Sequence, residues 1–175
     1  SGRGQELVRH CRALARLMLA DIRSVLSEPE AAVALGSHDL AEQLAALGRD
    51  LPGIAVRVEV GLLDPEPSAA AAHALLRASQ ECITNATIHG RARNVHIVCR
   101  VEDGAYVLDV RDDGRGASSI TPGSGLSHMR DRFERLGGHV RWTSQPGAGF
   151  SLHAAVPVAA CAGPTTRATR AEDAA

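Results

Sequence analysis

Apolar and polar positions follow two successive rhythms along the chain. From Gln5 to Ser27, residues Leu7, Cys11, Leu14, Met18, Ile22 and Val25 recur at helical spacing, with Arg9, Arg12, Arg16 and Arg23 on the other faces. That is the seam of a bundle or coiled-coil helix, and Glu28-Pro29 ends it, since proline lacks a donor and restricts the residue before it. A second helix, starting behind Ser37 or Asp39, carries Leu40, Leu44, Leu47 and Leu51 until Pro52-Gly53 stops it. A core helix and a dimer seam both fit such stripes; the regularity of the first favours a bundle. From Ile54 the rhythm changes. Val56, Val58 and Val60 alternate with Arg57 and Glu59 as in a half-buried strand over Ala55 to Val60.

Beyond Pro65 and Pro67, Ser68 is placed to cap a long helix running to about His89. Strands are predicted at Asn94 to Val101 and Tyr106 to Val110, joined by a hairpin at Glu102-Asp103-Gly104. A glycine-rich loop from Asp112 to Gly125 leads into a helix over Leu126 to Leu136, closed by Gly137-Gly138. Strands at His139 to Ser144 and Phe150 to Val156 flank the turn Gln145-Pro146-Gly147-Ala148-Gly149. After Pro157 the composition collapses to Ala, Thr, Pro and Arg, as in a disordered tail. The expected organisation is a helical segment over 1–52, an α/β sandwich over 53–157 with a mixed, mostly antiparallel sheet and one helical face, and a tail over 158–175.

Composition narrows the function classes. The 175 residues carry a formal net charge of -1 and are 45% apolar, which suits a soluble globular domain without the basic excess of a nucleic-acid binder. The four aromatic residues Tyr106, Phe133, Trp142 and Phe150 leave little for stacking bases of single strands. All 19 basic residues are Arg. The absence of Lys excludes a Walker A loop and Schiff-base chemistry. Cys11, Cys82, Cys99 and Cys161 form no CxxC pair and read as reduced thiols. No apolar stretch is long enough to span a bilayer, and a cytoplasmic location is expected.

Three stretches carry candidate chemistry. On the helix ending near His89, Glu81, Asn85 and His89 fall at about 0°, 40° and 80°, bordering an apolar face that includes Leu75, Cys82, Ile83 and Ala86. A carboxylate, an amide and an imidazole along such an edge suit a pocket wall, and equally an ordinary polar border. The second stretch, Asp112-Asp113-Gly114-Arg115-Gly116, follows a strand directly. Its glycines permit close backbone approach and Asp112 can accept from an exocyclic amine, although the same letters build tight turns; the spacing does not match a calcium loop. The third, Gly123-Ser124-Gly125-Leu126, opens a helix whose first amides suit anions. His38, His73, His96, His139 and His153 show no metal-ligand spacing.

Taken in this order, the three stretches resemble the histidine-kinase/gyrase/Hsp90-type (GHKL) ATP-binding domain, the Bergerat fold, and within it the catalytic domain of NarL/DesK-type sensor histidine kinases. Gln80 to His89 resembles the N box, Asp112 to Gly116 the G1 box, Gly123 to Arg132 the G2 box and its helix, and Ser144 to Phe150 the closing hairpin. The likeness covers about 54–157 and extends weakly to the helices before it.

The resemblance implies that ATP and Mg²⁺ are bound, with Asn85 the Mg²⁺ ligand, Glu81 a water-holding group or general base, and His89 near phosphates or ribose. It further implies Asp112 as acceptor of the adenine amine, Gly114 and Gly116 shaping the adenine pocket, and Gly123, Gly125 and Leu126 at the phosphates. A histidine kinase so built transfers the γ-phosphate to a His on a dimerisation helix, forms a homodimer through its N-terminal helices, and serves a response regulator.

Departures from the family pattern are Ile88 where a basic residue is frequent, His128 for glycine, Phe150 for threonine, and a short segment between Gly116 and Gly123. His10 lacks the acidic neighbour of a phosphoacceptor, so Gln5–Ser27 reads as the second bundle helix and the acceptor lies outside this chain. A stand-alone ATPase using Glu81 to activate water, and an anti-sigma-type kinase or nucleotide-binding pseudokinase module, are the alternatives.

Overall fold

The computed structural model describes residues 37–47, 49, 51, 53–120 and 124–158. The helix expected over Gln5–Ser27, His10, Gly123 and the tail beyond Val158 lie outside the described residues. Helix α1 (Ser37–Leu47) is followed by strand β1 (Ala55–Val60) and helix α2 (Ala69–Asn85), which continues as a π-helical turn over Ala86–Gly90. Strands β2 (Asn94–Glu102) and β3 (Ala105–Asp112), helix α3 (Ser124–Arg135), and strands β4 (His139–Ser144) and β5 (Phe150–Pro157) complete the order.

The five strands form one mixed sheet in the order β1-β2-β3-β5-β4. Strand β1 runs parallel to β2, with Ala55 opposite Asn94 and Val60 opposite Cys99; the other pairings are antiparallel. The parallel pair needs a crossover, which α2 supplies. Asp103 and Gly104 turn the β2–β3 hairpin with φ of 49° and 73°, the left-handed pair that matches strand twist.

Period-two alternation divides the sheet into two unlike faces. Val95, Ile97, Cys99, Leu108, Val110, Leu152, Ala154 and Val156 are buried with Leu75, Ile83, Met129 and Phe133 of the helices. The opposite face bears polar pairs: Arg100 to Asp109 at 2.6 Å, His153 to Asp109 at 2.8 Å and His96 to Glu59 at 3.1 Å. The expected α/β sandwich with one helical face is therefore present.

Leu40 and Leu44 of α1 are wholly buried in the same core as α2 and the sheet, the core-helix reading of this stripe. One feature differs from the sequence reading. The α-helix ends at Asn85, short of His89. The Arg91 N–H bonds back to the Ala86 carbonyl, and Arg91 stands at φ 51°. This wider turn brings the Gly90 carbonyl to the Arg115 N–H at 2.8 Å, in keeping with the frequent occurrence of π-turns at functional sites. Cys82 and Cys99 are buried free thiols; burial pushes Cys99 up to about 12 and Cys82 higher still, so both are poor nucleophiles.

Candidate functional site: a nucleotide-sized cavity

Three parts of the chain enclose a cavity of about 490 Å³. One wall is the polar edge of α2 and its π-turn, with Glu81, Asn85, His89 and Gly90; the second is the segment after β3, with Asp112, Arg115, Gly116 and Ala117; the third is the first turn of α3, with Gly125 and Leu126. Ser119, Ile120, Ser144 and Phe150 complete the lining. A hollow of about 360 Å³ on the bare sheet face contains none of the motif residues.

Ser68 caps α2 by accepting from the Ala71 N–H at 3.2 Å, and Ala71, Ala72, Leu75, Ile83 and other apolar residues bury its inner face. This burial fixes the rotation of the helix and turns Glu81 and Asn85, one turn apart, to the edge of the core. The Asn85 amide nitrogen donates to Glu81 Oε1 at 3.0 Å, which leaves the amide oxygen without a donor among the described residues. The Glu81 carboxylate lies against the Gly125 α-carbon, where a Cβ would overlap Glu81 Oε1. A side chain at this position would push the Glu81 carboxylate aside.

Asp112 ends β3 with a relative exposure of 7%. Its Oδ1 accepts from the Gly114 N–H at 2.7 Å. Burial raises its pKa, opposed by hydrogen bonds from the Gly114 and Phe150 amides and reinforced by neighbouring Asp113. A Cβ at Gly114 would stand 2.8 Å from both Asp112 Oδ1 and the Gly90 carbonyl, which explains the first glycine of the pair. Gly116, at φ 59°, passes so close to the Gln145 carbonyl that a side chain would overlap it. Next to this site, Asp113 fastens the strand start: its Oδ1 accepts from the Arg93 and Asn94 N–H groups at 2.8 and 2.9 Å, and its Oδ2 from Asn94 Nδ2 at 2.6 Å. The bond from Asn94 Nδ2 leads the interactions that hold the Asp113 carboxyl below its ordinary range.

Of the residues expected from sequence, Glu81, Asn85, His89, Asp112, Gly116, Gly125 and Leu126 all line this cavity; Gly114 supports it from behind Asp112, and Gly123 lies outside the described residues. Helix α3 begins at Ser124, two residues before the expected start. Arg115 and Ser144 are lining residues to which sequence reasoning gave no role. Glycines on either side of Arg115 and a turn after Ser144 were the available signals.

The arrangement is a nucleotide-binding α/β sandwich. A family model described as histidine kinase-, DNA gyrase B-, and HSP90-like ATPase matches residues 70–160, and the chain belongs to that family. It is 30% identical over 158 residues to the sensor histidine kinase LnrJ of Bacillus subtilis, covering 88% of this chain and 38% of that protein. With the methanol utilization control sensor protein MoxY of Paracoccus denitrificans it shares 34% identity over 136 residues, 70% of this chain and 29% of the relative. The chain thus spans well under half of these relatives. Among solved structures, the blue-light activated histidine kinase of Erythrobacter litoralis superposes with a TM-score of 0.58 at 23% identity, over 90% of this chain and 50% of that one, a likeness of fold. No helix among the described residues is long and apolar enough to cross a membrane.

Proposed function

We propose that this chain is the ATP- and Mg²⁺-binding catalytic domain of a sensor histidine kinase. It delivers the γ-phosphate of ATP to a histidine on a dimerisation helix, for relay to a response regulator, in a cytoplasmic homodimer joined through N-terminal helices. One observation carries the reading: Asn85, Asp112 and Gly125, from three separated stretches, share one cavity of nucleotide size.

The chemistry of each wall supports it. Asp112, buried and acceptor-bearing, suits the exocyclic amine of adenine, while Gly114 packs behind it against the Gly90 carbonyl. Elsewhere in the lining, Glu81, Asn85 and His89 share the cavity with Gly125 and Leu126 of the first turn of α3, and a helix N-terminus, through its amides and dipole, favours phosphate. Mg²⁺ takes hard oxygen ligands and keeps those of nucleotide phosphates and water, so it needs few from protein. The Asn85 amide oxygen fits that demand, because the adjacent nitrogen is engaged by Glu81. When bound, the ion neutralises phosphate charge. Phosphoryl transfer depends mainly on positioning and electrostatic stabilisation, which a fixed amide, a helix N-terminus and a seated base provide.

Titration with ATP in the presence and absence of Mg²⁺ tests the reading; binding that requires Asp112 and gains from Mg²⁺ only while Asn85 is present supports it, and no binding overturns it. The Glu81 carboxylate in the cavity also suits activation of water, and ATP turnover by this chain alone, lost in Glu81→Ala, would favour an ATPase instead. Transfer to the dimerisation-helix histidine in the parent protein distinguishes the kinase.

A further inference from the structure

We infer that Ser144 is a positioning residue of the nucleotide site, its hydroxyl fixing the glycine-rich wall at Arg115–Ala117 relative to Asp112. The inference rests on the proposal that the cavity takes an adenine nucleotide. Ser144 ends β4, is half-buried and lines the cavity. Its Oγ accepts from the Ala117 N–H at 3.0 Å and donates to the Gly149 carbonyl at 2.7 Å. A hydroxyl engaged both as acceptor and as donor is held in one orientation.

The surrounding contacts show how close the two segments lie. The Gly147 N–H donates to the Arg115 carbonyl at 2.7 Å, and Gly116 abuts the Gln145 carbonyl with no room for a side chain. At the far end of the turn, Gly149 abuts the Asp112 carbonyl in the same way, and the Phe150 N–H bonds the Asp112 carboxylate. The β4–β5 turn therefore holds the adenine-side carboxylate with one end and the Arg115–Ala117 wall with the other. Ser144 supplies the side-chain bond in this set, joining both ends through a single oxygen. Without it the Ala117 N–H and Gly149 carbonyl lose their partner at the cavity mouth, and the wall is no longer set for the base.

Ser144→Thr and Ser144→Val have nearly the same shape and differ in the hydroxyl, which makes them the test pair, with Ser144→Ala as a variant without added bulk. In the full chain, three quantities are measured: Mg²⁺-ATP affinity by calorimetry, amide exchange at Ala117 by NMR, and melting temperature. Loss of the hydroxyl is expected to weaken binding about tenfold and to speed exchange at Ala117 in both Val and Ala variants, while Thr stays within about twofold of the parent chain. Equal affinities for Thr and Val, failure of Thr to rescue when Ala binds normally, or weakened binding without faster exchange at Ala117 would overturn the inference. A parent chain that melts cooperatively yet binds no nucleotide overturns the underlying functional reading instead.

Discussion

The Asn85 amide nitrogen donates to the Glu81 carboxylate one helical turn away, at 3.0 Å, and this bond decides which atom of the amide is left for a ligand. Glu81→Gln keeps an acceptor oxygen and should retain Mg²⁺-dependent nucleotide affinity while losing the negative charge. Glu81→Ala frees the amide to rotate and should lower that affinity about tenfold. Equal binding by both variants would show that Glu81 does not orient Asn85.

Gly125 is explained by the same carboxylate. Within a helix, Ala is favoured over Gly by roughly 1 kcal/mol, so Gly125→Ala should leave the melting temperature unchanged or higher. Its methyl group would nevertheless displace Glu81, and nucleotide affinity should fall at least about tenfold. Calorimetric binding alongside a thermal melt separates the two effects; an unimpaired affinity would contradict the geometry.

Asp112 opposes stability to binding. Burial raises its pKa in the folded chain, so the unfolded chain ionises first. Stability therefore declines as pH rises from about 3.9, the ordinary carboxylate value, through the higher folded value. Above it the full penalty remains. Asp112→Asn should accordingly melt higher at neutral pH, with a flatter pH profile, and should bind ATP more weakly because the acceptor charge is lost. Denaturation curves between pH 4 and 7 check the first half, and a lower melting temperature at neutral pH would refute it.

Asp113 has the opposite sign. Hydrogen bonds from Asn94 Nδ2 and from the Asn94 and Arg93 amides hold its carboxyl below the ordinary range. Its stabilisation is present above about 3.9 and is lost as pH falls through the lower folded value. The carboxylate is solvent-exposed, which weakens the gain, so Asp113→Ala should cost about 1 kcal/mol at neutral pH. In urea unfolding, the gap between parent and variant should narrow as the medium is acidified; a constant gap would exclude the charge as its source.

Leu44 tests whether α1 belongs to the domain. It is fully buried against the shared core, and Leu44→Ala should destabilise the chain by about 2–5 kcal/mol. Cooperative unfolding that is insensitive to this change would detach α1 from the nucleotide-binding unit.

Much of this molecule is written in local pattern. Alternating valines mark β1, Asp103-Gly104 marks the hairpin, Ser68 marks the start of α2, and the spacing of Glu81, Asn85 and Asp112 with its glycines points to one site. What escaped was set by hydrogen-bond offset or by distant partners. A 100° projection assumes an unchanged helix, so it carries His89 along an α-helical edge and cannot register the π-turn from Ala86. A leucine stripe shows that something covers α1 without showing what; Leu40 and Leu44 turn inward to α2 and the sheet. Ser144 resembles any turn-flanking serine, because its partner at Ala117 lies 27 residues back.

Strand β5 lies between β3 and β4, although among the described residues it follows both in sequence. Its first residue, Phe150, faces the cavity, and the turn before it braces Asp112. A chain emerging from the ribosome thus acquires α2 and the aspartate before the residues of β5 that close the hollow. A product cut short before Phe150 would lack that wall.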